Sequence, residues 1–363
     1  MKLRSMMLSA LSLTTIIASH PTPVFAATSG TWVTTGSMKT ARLGHTATLL
    51  NSGLVLVAGG TSGSGGALAS AELYDPATGR WTPTGSMSEG RAYHTATLLS
   101  GGEVLVTGGL GAGAAGAELY NPSSGQWFAT GSMAEARYHH AAVLLGDGQV
   151  LVAGGVGSAG AELASAEIYN PATDTWRATA SMNVARAFVA ATLLPDGAVL
   201  LAGGNASTSA AGHSSEVYAN GQWRLTGSLE SELGSDTATQ LPNGETLIFG
   251  GGPLAGGEYY NQGTGTWANT DGFGVAPPVQ GQTETLLATG EVLVAGGVNR
   301  YKGINTLGHL YDPSTNRWQN SGAMNQARTQ HTATRLYNGQ VLVTGGEPAF
   351  SSTPLAAAEL YNP

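Results

Sequence analysis

Cysteine is absent from this 363-residue sequence. No disulfide can brace the fold and no lipid can be attached through an N-terminal thiol, so a large apolar core must hold it. Charge is scarce too: only 10% of residues are Asp, Glu, Lys or Arg, and the net charge is −8 with no basic stretch. Affinity for nucleic acid rests on cations that neutralise phosphate, and affinity for anionic lipid on polybasic segments, so neither is an expected partner. No apolar run reaches the roughly 20 residues that a membrane-spanning helix needs. Long stretches of Glu, Lys and Leu, the material of surface helices, are missing as well.

Glycine is abundant instead, at 54 residues, well above the usual share of about 7%. Short apolar runs broken by glycines point to short strands and tight turns, and hence to an all-β chain. The first 26 residues read differently. Lys2 and Arg4 precede an apolar stretch from Met6 to Ala18, Pro21 and Pro23 break it, and Val24-Phe25-Ala26 has the small-x-small form of a cleavage site. Residues 1–26 are therefore expected to be a signal peptide, and residues 27–363 a single exported domain. Secretion or release into a periplasm is expected. Cleavage removes two cations and leaves the mature chain more acidic.

Internal repetition dominates the rest. The seven tryptophans fall at Trp32, Trp81, Trp127, Trp176, Trp223, Trp267 and Trp318. Gly-Gly pairs that end an apolar run begin at 59, 108, 154, 203, 250, 296 and 345, and Leu-Tyr-Asp-Pro or a variant centres on Tyr74, Tyr120, Tyr169, Tyr218, Tyr260, Tyr311 and Tyr361. Each unit reads as four strands. Residues 91–99 give the first, Val104-Leu105-Val106 the second, Glu118-Leu119-Tyr120 the third, and Trp127 opens the fourth. The second strand is apolar without alternation, as expected when both faces are covered. Sheets of this kind stacked radially make a propeller.

Arg-x-x-His, the apolar run with Gly-Gly, Tyr-Asp-Pro and Trp at these spacings resemble the kelch repeat, over residues 31 to 363. The resemblance implies a seven-bladed kelch-type β-propeller with four antiparallel strands per blade. Such propellers serve as binding platforms and, less often, as enzymes. Galactose oxidases of this fold carry a radical-copper cofactor that needs a Cys joined to a Tyr, and the missing cysteine excludes that chemistry. Sialic-acid mutarotases have six blades and a more polar pocket. No cofactor and no metal site are expected. The order of markers also predicts how the ring closes. Thr31-Trp32-Val33 is a fourth-strand motif with nothing before it, and Glu359-Leu360-Tyr361 is a third strand with no Trp after it. Residues 31–38 should supply the outer strand of the last blade, which removes exposed edges.

Loop lengths separate two faces. The Arg-equivalent position lies 17 residues before the first Gly in all seven units, so the first-to-second turns are constant. From the second Gly to the Tyr the spacing varies between 9 and 15 residues. The face with these variable loops is the expected working face. The Arg-x-x-His element recurs as Arg42/His45, Arg91/His94, Arg137/His140 and Arg328/His331, and at constant register it reads as a structural tie between blades. His139, beside His140, reads as a surface residue. Blade 4 keeps Arg186 but has Val189, and blades 5 and 6 replace both positions with Leu233/Asp236 and Val279/Gln282.

Blades 5 and 6 therefore become the candidate ligand sector. Glu232, Asp236 and Gln282 lie around their first strands, Arg300, Tyr301 and Lys302 in a loop of blade 6, and Phe350 in a loop of blade 7. Aromatics mixed with charges suit a glycan or a peptide segment. Carboxylate pairs among Glu230, Glu232, Asp236 and Glu284 would allow acid–base chemistry only at a fixed separation. No catalytic residue stands out. The reading is a monomeric exported module that binds a protein or a glycan. A sugar-modifying enzyme resembling the mutarotases, or an adhesive component of an extracellular assembly, are the alternatives.

Overall fold

A computed structural model of the chain describes residues 30–63, 65–204, 212–231, 237–250, 257–271, 280–299, 303–304, 306–348 and 353–363. Among these residues the structure is all-β, and no helix is long and apolar enough to cross a membrane. Among the described residues, seven antiparallel sheets of four or five strands follow one another, and a two-stranded ribbon pairs Arg137–Tyr138 with Val156–Gly157. Blade 1 consists of Thr46–Leu49, Val55–Ala58, Ala71–Asp75 and Arg80–Pro83, paired in that order. Blade 6 is the irregular one: its inner strand Gln280–Leu286 and second strand Val292–Asn299 are longer, and a short strand, Gly303–Ile304, pairs with the latter.

The inner strands lie side by side in a closed circle, each against that of the next blade and the seventh against the first. The second strands, such as Val55–Ala58 and Val104–Thr107, are buried throughout because neighbouring sheets cover both their faces. Val55 and Val57 pack with Leu336 and Leu342 of blade 7, while Leu56 packs with Val104 and Val106 of blade 2. Each fully buried side chain of this size contributes about 1.5–3 kcal/mol. Seven such seams replace the missing disulfides.

The ends close the ring as the marker order predicts. Thr31–Thr34 pairs with Ala358–Asn362, Trp32 opposite Tyr361. The strand ends at Thr34, four residues short of the expected 38, because Gly36 already belongs to the next seam: its carbonyl accepts from Trp81 Nε1 at 2.7 Å. The same Trp–Tyr pair recurs in every blade, with ring centroids 5.0 Å apart for Tyr74–Trp81 and for the closing Trp32–Tyr361. The first strand is also shorter than residues 91–99 suggested. It spans Thr95–Leu98, and Arg91 to His94 lie in the bend above it.

Candidate functional site

The Arg-x-x-His element does two separate jobs. Each arginine works inside its own blade. Arg42, fully buried, donates from Nη1 to the carbonyls of Gly59 and Ser70 and from Nη2 to Glu72 Oε1 at 2.9 Å. Glu72 also accepts from the backbone amides of Lys39 and Thr40, which fixes the link from the preceding blade. The same pairing joins Arg91–Glu118, Arg137–Glu167, Arg186–Glu216 and Arg328–Glu359. The histidines, by contrast, reach backward across the seam. His94 Nε2 meets Thr46 Oγ1 at 3.0 Å, and His140 meets Thr95 at 2.9 Å. His331 meets Thr283, and His45 meets Thr332 of the last blade. Burial and the adjacent arginines push His45 and His94 down to about 3, so both are neutral seam bonds. The expected tie between blades is thus divided, with arginine bracing within a blade and histidine between blades.

This packing requires the Gly-Gly pairs. A Cβ on Gly59 would lie 2.5 Å from the Arg91 carbonyl oxygen and 2.6 Å from His94 Cε1, and one on Gly60 would lie 2.7 Å from the Leu43 carbonyl oxygen. Both have positive φ, which glycine adopts without strain.

The residue just before the histidine position forms a second ring, at the axial mouth on the variable-loop face. Gly44, Tyr93, His139, Phe188, Gly281 and Gln330 all have φ between 51° and 67°. Their backbones link blade to blade: Tyr93 N donates to Gly44 O, His139 N to Tyr93 O, Phe188 N to His139 O, and Gln330 N to Gly281 O. The left-handed region costs a residue with a side chain about 1–2 kcal/mol. Asp174, Asn220 and Asn316, which also lie there, are of the type that tolerates it. Tyr and Phe are not.

These three rings form a row. Tyr93 and His139 have centroids 4.3 Å apart, and His139 and Phe188 stack at 3.8 Å. Tyr93 lies over Gly44, where a Cβ would be 2.6 Å from its ring. The reading of His139 as a surface residue is corrected here. It is half-buried between two aromatics, and burial pushes its imidazole down to about 4. On the other flank the Tyr93 hydroxyl donates to Gln330 Oε1, and Gln330 Nε2 donates to Glu347 Oε1. Leu110, 48% exposed, joins the mouth through its bridge to Ala92. The mouth is therefore apolar over blades 2 to 4 and polar at blade 7.

Blades 5 and 6 lack the pins. Glu258 keeps the position of Glu72 and accepts from the amides of Glu230 and Ser231, while Leu233, at the arginine's place in the sequence pattern, lies outside the described residues. Burial pushes the Glu258 carboxyl up. In blade 6, His309 stands where the glutamate would, opposite Val279 in the sequence pattern. Of the residues singled out from the sequence, Gln282 is buried, and its Nε2 donates to the Phe249 carbonyl at 2.7 Å. Glu284 bridges to blade 5 by accepting from Phe249 N and Thr239 Oγ1. Glu230 is bonded to Asn269. Glu232, Asp236, Arg300, Tyr301, Lys302 and Phe350 lie outside the described residues.

A family model described as the kelch motif matches residues 41–88 and 137–183. No curated protein matches the chain. Among solved structures, a novel fungal alcohol oxidase with catalytic diversity among the AA5 family, in complex with copper, superposes with a TM-score of 0.73. The two are 16% identical, and the match covers 92% of this chain and 76% of that one. The likeness shows a kelch-type propeller. The donors seen here do not fit a copper centre: His45, His94, His140 and His331 are buried with Nε2 on threonine hydroxyls, and no three His, Cys, Asp or Glu converge among the described residues.

Proposed function

We propose that this kelch-type β-propeller is an exported, monomeric binding module that grips a protein segment or a glycan at the axial mouth of its variable-loop face. One observation carries the reading. Three consecutive blades place aromatic residues, Tyr93, His139 and Phe188, in a left-handed backbone conformation at a register that Gly44 and Gly281 fill in blades 1 and 6 and Gln330 in blade 7. Strain of this kind collects at functional sites. Exposed or half-buried aromatics with satisfied polar neighbours are the usual anchors of binding surfaces. Arg300, Tyr301, Lys302, Asp236, Glu232 and Phe350 would extend the surface over the adjoining blades, whereas Gln282, expected from the sequence to join them, is buried.

The test is a glycan and peptide array probed with the wild type and with Phe188→Gly and Tyr93→Gly. Binding should fall about tenfold or more in either variant. Glycine relieves the strained backbone, so the melting temperature should stay within roughly 4 °C. A large fall in melting temperature in both variants would mean that the row is only a plug for the channel, and the reading would fail. Since the solved neighbour is an oxidase, a sugar-modifying enzyme using the same mouth is the second reading, and steady turnover of a sugar by the wild type would favour it.

A further inference from the structure

The face opposite the mouth carries the constant turns, and one corner of it departs from the repeat. Each turn between a first and a second strand is built alike. Leu336 N donates to Gln340 O and Gly339 N to Leu336 O, as Leu50 N does to Leu54 O and Gly53 N to Leu50 O. The residue after that leucine is not aromatic in six blades: Asn51, Ser100, Gly146, Pro195, Pro242 and Ala288. Blade 7 has Tyr337 there, 70% exposed and the most open large apolar side chain among the described residues. Leu336, buried beside it, anchors the turn. One edge of the tyrosine ring rests on Gly53 of blade 1, where a Cβ would lie 3.5 Å from Cδ2. The ring walls a cleft of about 280 Å³ between blades 7 and 1, which Leu54, Asp75, Pro76 and Ala77 of blade 1 also line.

The cleft is smaller than the roughly 300–1,000 Å³ of a small-molecule pocket, so it suits a single side chain of a partner. Its charge selects which. Asp75 Oδ1 accepts from Ala77 N at 2.9 Å and Oδ2 from Thr78 Oγ1 at 2.8 Å, neutral donors that leave the negative charge in place. Arg335 is turned to the Leu286 carbonyl of blade 6, on the far side of blade 7, and Arg80 does not line the cleft. The corresponding turns of blades 2 to 6 add Glu103, Asp147, Asp196, Glu245 and Glu291, and none of the seven turns contains Lys or Arg. The geometry points to a docking site for a basic peptide segment of a partner protein, with one arginine side chain seated between Tyr337 and Asp75. A guanidinium lies flat on a tyrosine ring while its N–H groups meet a carboxylate, which a lysine ammonium does less well. The acidic turns attract the rest of such a segment and repel an acidic one. The site lies on the opposite face from the proposed mouth and is independent of it.

The experiment is fluorescence anisotropy on the full protein with labelled Gly-Ser peptides that carry arginines, lysines or glutamates at the same places. The arginine peptide should bind at sub-millimolar strength in low salt, and more weakly as salt is raised. The lysine peptide should bind less tightly and the glutamate peptide not at all. Two variants copy residues that the repeat already uses. Tyr337→Asn copies Asn51 of blade 1. Asp75→Asn copies Asn121, whose Oδ1 accepts from Ser123 N at 2.9 Å as Asp75 does from Ala77. Both should keep the melting temperature of the wild type, and each should weaken the arginine peptide about threefold or more. No binding of the arginine peptide would overturn the inference. So would unchanged affinity in both variants, which would leave only diffuse attraction to the acidic turns, or a lysine peptide that binds as tightly. Loss of binding in Phe188→Gly but not in Tyr337→Asn would put the peptide at the opposite mouth, overturning this site and supporting that one. Glucose binding that Tyr337→Asn abolishes, with no peptide bound, would make the cleft a platform for sugars instead.

Discussion

Blade 1 and blade 6 occupy equivalent places in the ring and solve the same packing problem with different chemistry. Blade 1 buries a full guanidinium–carboxylate pair, Arg42 with Glu72, and hands His45 to its neighbour's threonine. In the sequence pattern blade 6 carries Val279 and His309 in place of the arginine and the glutamate, and it reaches its neighbour with Gln282 and Glu284. Both partners of the ion pair changed together, and this is the tolerable route, because a lone buried charge costs far more than no charge. Blade 5 took the harder route and kept Glu258 with two backbone amides as its support. The contrast shows that the ion pair is one way to seat a blade and not the only one.

The comparison can be broken most severely at the ring closure, which every blade shares. Deleting residues through Thr34 removes the outer strand of blade 7 and the Trp32–Tyr361 contact, and exposes the edge of Ala358–Asn362. Loss of a cooperative melting transition is expected, with aggregation through the bare edge. A calorimetric trace like that of the intact chain would contradict it.

Next in size is a single break in a regular blade. Arg186→Leu leaves Glu216, 0% exposed, without its cation and should cost about 3–5 kcal/mol in denaturant unfolding. Arg186→Val together with Glu216→His copies blade 6 and should recover much of that loss. No recovery would mean that blade 6 depends on something other than matched replacement.

The smallest effect is on pH dependence, and it concerns only the blades with histidine pins. Burial holds His45 and His94 at about 3, below their ordinary 6.5. Both are neutral in folded and unfolded chains at neutral pH, so their bonds are fully present above pH 6.5. Below that the unfolded chain takes up protons that the folded chain refuses, and stability falls as the pH drops toward 3. His94→Leu should be less stable at pH 7, through the orphaned Thr46 hydroxyl, by about 1–3 kcal/mol. The same variant should lose less between pH 6.5 and 4. An acid limb as steep as in the wild type would show that the pins are not the source.

Much of the molecule was legible from spacing alone. Seven tryptophans, seven Gly-Gly pairs and seven tyrosine motifs translate into seven sheets because strand pairing has a fixed repeat, and the split marker at Trp32 and Tyr361 foretold the closing pair. Part of the mouth also left a trace. The position before each histidine, or the residue that replaces it, is Gly44 in blade 1 and Gly281 in blade 6 but Tyr93, His139 and Phe188 in blades 2 to 4. Glycine at one register of a repeat signals a positive φ, so aromatics at that register are a mark the sequence already carries. What spacing could not supply was partnership. That Arg42 braces its own blade while His45 braces the previous one depends on which side of a sheet each side chain leaves.

The sequence by itself determined the number of blades, their strands and the manner of closure, since these follow from local patterns copied seven times along the chain. Only the tertiary structure decided that residues some 45–50 positions apart would stack as one aromatic row. The reason is physical: a repeat specifies what each blade is, but a site at the axis is made of one residue from each blade. Those residues become neighbours only when the ring is closed.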